Sequence, residues 1–590
     1  MNKPLKYGLL GLGGLVLVAI AGAAVFALTF DPNRYKDDIE RLAKEQTGRT
    51  LNLKGDIKMA FWPSLGADVG GVTFSERGSN QEFLSFDSAH ASVKLMPLLR
   101  GEYIVDSIKL SGLKARIVKG KDGRYNFSDL IEGEAKAAKP AAEPKKTAEE
   151  KPKTPVVFDV GAVSIERSSI AYSDLGAGQE YALEDVKLKT GRIAQDAEGK
   201  LEFATVAKRK NPPLEAKLSL DGKYQLKGGT LSADVTAKLD DSTIKTKFSL
   251  AEPVEFEASI DKLNLDRYLG APEKAAPAAK PAAAEKPQPA AKQAKKEDAP
   301  VDFSALKGIN AKGRVHVGAL EVRGLKLADL DAQINAANGR VAVAPHSAKG
   351  YEGTLSGEVV VDANKNQVVL KEKLVGVAVG PILRDFAQQD RLEGKGDITL
   401  DVTGAGATVN ALRRSLAGTA KVHLRDGAIK GINLGEILQR ARTALGSRSA
   451  AQGESAGDKS QKTDFTELSA SFAIKNGVAR NEDLDAKAPL FRLGGAGDIN
   501  IADSSLNYVA KASLVATTQG QGGRERDRVA GLTVPVRLSG SFDDLKYEVD
   551  YRAMAGDAAK SQVGEKIKER LGDRLKDEKL GDRLKGLFGR

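Results

Sequence analysis

Leu231-Ser-Ala233-Asp-Val235-Thr-Ala237-Lys-Leu239 alternates apolar and polar residues over nine positions. That is the period of an extended chain whose successive side chains point to opposite faces. The same alternation runs through Val254/Phe256/Ala258/Ile260, Leu355/Gly357/Val359/Val361, Ile398/Leu400/Val402 and Val534/Val536/Leu538. Each stretch reads as a strand with one wet face. Asp122-Gly123, Asp221-Gly222, Asn338-Gly339, Asp426-Gly427 and Asn476-Gly477 punctuate the pattern. Such dipeptides accept the positive φ of tight hairpin turns, so antiparallel hairpins are expected. A tripeptide recurs as Gly55-Asp56-Ile57, Gly396-Asp397-Ile398 and Gly497-Asp498-Ile499. It reads as a turn leading into an alternating strand, although three copies fix no repeat length.

Working outward, the N-terminus is different in kind. Lys3 and Lys6 precede an uncharged run from Tyr7 to Phe30, closed by Asp31-Pro32-Asn33. As a helix that run is about 35 Å long, enough to cross a bilayer core. The flanking lysines place its N-terminus in the cytoplasm and the bulk of the chain outside. Ala21-Gly22-Ala23 offers the competing reading of a cleaved signal peptide. The apolar run continues past it through Val25, Phe26, Leu28 and Phe30, which favours an uncleaved anchor. Gly11-Leu-Gly13-Gly14 falls inside that run, where it serves helix packing and not a nucleotide.

Length gives a prior of about four domains of roughly 150 residues. Two segments, 132–155 and 270–300, consist of Ala, Lys, Pro and Glu, with too few large apolar residues to offset the entropy of ordering. They read as linkers between β regions at 31–131, 156–269 and 301–550. A polar Gly/Ser-rich stretch at 446–462 reads as a further loop. Helices are few. Asp31 is a suitable N-cap, with Pro32 at the first position, Tyr35/Ile39/Leu42 on one face and Gly48 past the end. A short helix is expected over Leu434–Leu445. The tail, 551–590, carries Val563, Ile567, Leu571 and Leu575 at helical spacing, then Leu580, Leu584, Leu587 and Phe588 among basic residues. This amphipathic helix fits a membrane surface, another protein, or the chain's own last strands.

The net charge is +11, yet much of the excess lies in linkers and tail. An exported chain meets anionic lipid headgroups or polyanionic glycolipids sooner than nucleic acid. With no cysteine there is neither a disulfide framework nor a thiolate metal site. His90, His316, His346 and His423 lack metal-ligand spacing, and His423 alternates onto the polar face of its strand. Gly453-Glu-Ser455-Ala-Gly457 matches the G-x-S-x-G nucleophile elbow, but polar flanks and the lack of any histidine after Ser455 argue against a hydrolase. No cofactor is indicated.

About 440 residues at roughly 11 per strand would give some 40 strands, more one-sided surface than the few helices can cover. The apolar faces must meet another sheet, the same sheet after curling, or a ligand. A continuous ribbon of that many strands would reach at most about 190 Å. Periodicity does not separate an open groove from closed β-domains.

Asp31-Pro-Asn-Arg-Tyr35-Lys, Thr47-Gly48-Arg49, Leu51-Asn-Leu-Lys-Gly55-Asp56-Ile57 and Trp62-Pro63-Ser64-Leu65-Gly66 together resemble the opening of AsmA-family proteins of Gram-negative bacteria. Similar matches follow in order: Gly123-Arg-Tyr-Asn126-Phe-Ser-Asp-Leu130, Leu263-Asn-Leu-Asp266-Arg-Tyr268-Leu269, Asp426-Gly427-Ala-Ile-Lys-Gly431-Ile-Asn433-Leu, Asn476-Gly477-Val478-Ala479 and Val534-Pro535-Val536. The resemblance implies a non-enzymatic, inner-membrane-anchored periplasmic protein that supports outer-membrane biogenesis. It also implies kinship with bridge-like lipid-transfer proteins that hold a hydrophobic β-groove. The fold expected is mainly β: an elongated, curled antiparallel sheet behind an N-terminal transmembrane helix. Phospholipids would be the partners, with acyl chains on strand faces lined by Val93, Leu95, Ile108, Leu110, Val235, Leu239, Val254, Phe256, Val359, Val361, Ile398, Leu400, Val534 and Val536. The tail would reach the outer membrane or envelope proteins. The alternative is a scaffold or chaperone for outer-membrane proteins with closed β-domains.

Overall fold

The structure, a computed structural model, describes residues 32–60, 64–98, 100, 102, 104–131, 159–269, 301–439, 455–456, 458–489, 491–514, 533–542 and 544–550. The expected anchor, both Ala/Lys/Pro linkers and the C-terminal helix lie outside these residues. Among the described residues no helix is long and apolar enough to cross a membrane. The protein is mainly β, with 29 strands and a few short helices among the described residues. The expectation of some 40 strands is too high because many strands run 10 to 18 residues, well beyond the usual five or six. Two compact units are present. One draws on Met1–Glu273, Gly308–Leu320 and Gln333–Asn338, the other on Lys274–Lys307, Glu321–Ala332 and Gly339–Arg590.

The first unit opens with a 3-10 turn, Pro32–Tyr35, and a helix, Lys36–Thr47, which Gly48 ends in the left-handed conformation (φ 69°) while donating its N–H to the Lys44 carbonyl. Asp31 is not described, and Tyr35 takes the N-cap position with no side-chain cap. The helix buries no residue completely. Polar ties hold it instead: Asn33 exchanges two hydrogen bonds with Ile57, and Glu40 accepts from the Leu53 N–H. The short strands β1 (Leu51–Leu53) and β2 (Lys58–Ala60) both pair with β3 (Ser64–Ser75), which pairs with β4 (Glu82–Lys94). Strands β5 (Val105–Ser111) and β6 (Lys114–Lys119) pair with β4 antiparallel.

On their other side the sheet is mixed, not purely antiparallel. After the two-residue β7 (Asp159–Val160), which pairs in parallel with β5, strand β8 (Val163–Asp174) runs parallel to both β5 and β6. A parallel pair needs a long crossover connection, and residues 120–158 supply one. The unit continues with β9 (Gln179–Thr190), the short β10 (Ile193–Ala194), β11 (Glu198–Arg209), β12 (Leu214–Lys227), β13 (Thr230–Leu239), β14 (Ser242–Ser249) and β15 (Val254–Asn264). From β8 to β9, on to β11 and then in order to β15, every pairing is antiparallel.

After β16 (Ala311–Val322) and β17 (Leu325–Ala337), the second unit carries β18 (Arg340–Gly350), β19 (Gly353–Asp362), β20 (Gln367–Ala378), β21 (Leu392–Ala405) and β22 (Ala417–Gly431) in an antiparallel meander. Two-residue β23 (Ser455–Ala456) precedes β24 (Asp458–Lys475), and β25 (Val478–Lys487), β26 (Phe491–Asn500), β27 (Ser505–Leu514), β28 (Thr533–Ser541) and β29 (Leu545–Val549) follow. Strand β29 pairs back onto β23, so the sheet of β24 to β29 closes on itself. Strand formation at 455–456 and from 458 corrects the loop expected over 446–462: backbone pairing with Tyr547 and Gly431 orders a sequence too polar to look like a strand.

Glycine accounts for the other corrections. Asp122-Gly123, Asn338-Gly339 and Asn476-Gly477 do occupy turns, each glycine at positive φ. Asp221-Gly222 and Asp426-Gly427 lie inside β12 and β22. A Cβ on Gly222 would fall 2.4 Å from Val235 Cγ1, and one on Gly427 2.4 Å from Phe465 Cζ. These glycines admit a neighbour's side chain instead of turning the chain. Of the three Gly-Asp-Ile copies, only Gly55–Ile57 lies between strands; the others are within β21 and β26.

Candidate functional site

The registers place the apolar residues of β11 to β15 in cross-strand ladders on one face. Leu201, Gly222, Val235, Thr246 and Ala258 form one row, and Phe203, Leu220, Ala237, Ile244 and Ile260 the next. Tyr224, Ala233, Phe248 and Phe256 make a third. Small residues are the floor: Ala233, Val235 and Ala237 are buried, while Leu201, Phe203, Leu220, Ile244, Phe248, Phe256 and Ile260 stay half-exposed. The opposite face carries Lys217, Lys223, Lys238, Asp234, Lys245, Lys247 and Glu257, all exposed. Between β8 and β15 the described residues hold no helix, and the single helical turn Asp266–Leu269 follows β15. It clips a sheet edge: the Tyr268 hydroxyl donates to Asp240, Arg267 pairs with the same carboxylate, and Arg209 donates to the Tyr268 carbonyl. Burial first, then the Asp240 hydrogen bond, push the Tyr268 phenol up to about 12.

The second unit repeats the design. Ala348, Leu355, Leu374, Ile398, Val422 and Ala470 form one ladder, and Val343, Val359, Leu370 and Val402 another. Between them runs His346, Gly357, Glu372, Leu400, Ala420 and Phe472. Because Gly357 has no side chain, His346 on β18 and Glu372 on β20 meet across it at 3.1 Å, each less than a tenth exposed. The Glu372 hydrogen bond holds the His346 imidazole above its usual range against the cost of burial.

A second device keeps the faces low. Tyr224 lies over Gly199 and Phe256 over Gly313, where a Cβ would come within 2.1 and 2.7 Å of ring atoms. Phe465 over Gly427 and Tyr508 over Gly497 repeat it in the second unit. Each aromatic ring fills the gap of a strand glycine.

The fourteen candidate lining residues thus divide. Val235, Leu239, Val254 and Phe256 share the first unit's face, Val359, Val361, Ile398 and Leu400 the second's. Val93, Ile108 and Leu110 share the face formed by β4, β5 and β8. Leu95 is not on a strand: β4 ends at Lys94 and Leu95 begins a helical turn. Val534 and Val536 have 0% exposure, inside a core with Leu424, Phe465, Leu468, Leu493 and the helical residues Leu434, Ile437 and Leu438. That helix begins at 434, with Asn433 Oδ1 accepting from the Glu436 N–H. It is described to 439. Ser455 sits in two-residue β23 with no helix after it, unlike a nucleophile elbow. Among the described residues no cluster of three metal-ligating side chains occurs.

Sequence reading missed a buried clasp in the first unit. Arg49 has 0% exposure; its guanidinium donates twice to Asp129 (2.6 and 3.2 Å) and to the Ser75 and Asn126 carbonyls, 5.0 Å over the Phe83 ring. The signal was present in Thr47-Gly48-Arg49 and in Asn126-Phe-Ser-Asp129, but 80 residues separate donor and acceptor. Two of the motifs that carry the resemblance thus meet in one fold clasp.

The AsmA family pattern matches residues 1–227 and 223–484. Protein AsmA of Escherichia coli (strain K12) is 21% identical over 627 aligned residues, covering 97% of this chain and 98% of that one. No solved structure matches the chain. The chain belongs to the AsmA family.

Proposed function

We propose that this protein supports outer-membrane biogenesis from the inner membrane, carrying phospholipid acyl chains on its apolar sheet faces. The family is implicated in outer-membrane biogenesis. The observation that carries the lipid reading is the ladder of half-exposed Leu, Ile and Phe side chains on β11 to β15, backed by a face of lysines and carboxylates. Apolar surface left open to water costs roughly 25 cal/mol per Å², which an acyl chain would recover. In this reading the role is non-enzymatic, and headgroups stay in water beyond the faces.

Photo-crosslinking in intact cells tests it, with benzoyl-phenylalanine replacing Phe256 or Leu400 and, as control, Lys245 on the charged face. Phospholipid adducts are expected at the first two positions and not at the third. Crosslinks to protein alone at Phe256 and Leu400 would overturn it. A second reading, a scaffold for envelope proteins, is favoured in one region by the closed core around Val534 and Val536.

A further inference from the structure

We infer that the turn Leu95–Leu98 is a membrane-seating wedge that inserts into the interface of the bilayer holding the anchor. The inference rests on reading residues 7–30 as that anchor and is independent of lipid carriage. The turn follows β4 at the end of the sheet where Ser64 pairs with Lys94. Met96 is 60% exposed, one of the most exposed large apolar side chains among the described residues. Leu95 and Leu98 are half-buried beside it. The backbone satisfies itself: the Arg100 and Glu102 N–H groups both donate to the Pro97 carbonyl, at 2.9 and 3.0 Å. A segment entering an apolar environment needs such internal pairing. Exposed Lys94 and Arg100 bracket the turn, with the exposed Glu102 beyond Arg100 and Asp106 held by Ser64. A basic rim around an apolar tip suits the phosphates of a lipid surface.

Chain path says which surface that is. The described residues begin at Pro32, one residue beyond the Asp31 that closes the uncharged run, and Asn33 is fixed to Ile57 by two hydrogen bonds. From there β2 runs toward the same end of the sheet, Lys58 opposite Asp68 and Ala60 opposite Gly66. Four residue steps along β3 take the chain from Asp68 to Ser64, about 13 Å. On the anchor reading, the chain at Asn33 thus lies within reach of the interfacial layer that the Met96 turn would enter.

The chain has no cysteine, so Met96→Cys gives a unique site for an environment-sensitive fluorophore in the full-length protein. Lys121→Cys, in the turn at the far end of β6, is the control. Both proteins are reconstituted into liposomes of phosphatidylethanolamine and phosphatidylglycerol with doxyl-labelled lipid as quencher. Quenching at position 96 several-fold greater than at 121 is expected. Equal quenching, in protein that stays in the liposomes through alkaline extraction, would overturn the wedge. Release of the protein by that extraction would overturn the anchor reading beneath it and the wedge with it.

Discussion

Val536 in β28 and Phe256 in β15 are written in the same code, an apolar residue in an alternating strand, yet they have opposite surroundings. Val536 has no exposure, because β29 pairs back onto β23 and the helical residues from 434 fill the enclosed space. Phe256 stays half-exposed over Gly313, on a face that no helix of its own stretch covers. One face is an enclosed core and the other only partly covers its apolar residues. What separates them is what lies above the strand, which no strand's own residues encode.

The sharpest way to break this comparison is to place a charge at both positions. Val536→Asp buries an unpaired carboxylate and should cost about 4 kcal/mol or more, seen as a large fall in the urea midpoint or as no folded protein. Phe256→Asp should cost about 1–2 kcal/mol, since water reaches the new group and only part of a Phe burial is lost. Equal losses would mean that the β11 to β15 face is a core.

Next in size is the Arg49 clasp, which closes the first unit as helix 434–439 fills the second's core. Arg49→Ala should cost about 3–5 kcal/mol in thermal or chemical unfolding, because it leaves the partly buried Asp129 and the Ser75 and Asn126 carbonyls without the donor they share. Arg49→Lys should recover only part of this, as a single ammonium cannot make the two parallel bonds to Asp129. A fully stable Arg49→Ala would show that the helix Lys36–Thr47 and the Phe74/Phe83 core hold without it.

The smallest effect tests the polar pair within an apolar ladder. Glu372 raises the His346 pKa, so the pair's contribution is complete below the unfolded histidine value near 6.5 and fades as pH rises through the raised native value. Unfolding of the wild type should therefore become easier by about 1–3 kcal/mol from pH 6 to pH 9, beyond any change in His346→Gln. Parallel pH profiles for the two proteins would show that the pair stores nothing. The other histidine pairs do not confound this, since they are common to both proteins.

The sequence by itself determined the secondary structure class, the alternating faces of the five strand stretches it marked, and three of the five dipeptide turns, because period two and positive-φ tolerance are local properties. The alternation of Val359/Val361 and of Ile398/Leu400 is equally local, while the register between their strands is what puts the two pairs on one face. Only the tertiary structure decided that β8 runs parallel to β5 and β6, that Asp221-Gly222 and Asp426-Gly427 are strand interior, and that Val534 and Val536 are enclosed. Each of these depends on a partner distant in sequence: a crossover of some 40 residues, a ring or valine from the next strand, and a final strand returning to residues 455–456. The physical reason is common to them. A strand's own residues fix which side is apolar, while what meets that side is a long-range choice among backbone pairings of nearly equal local energy.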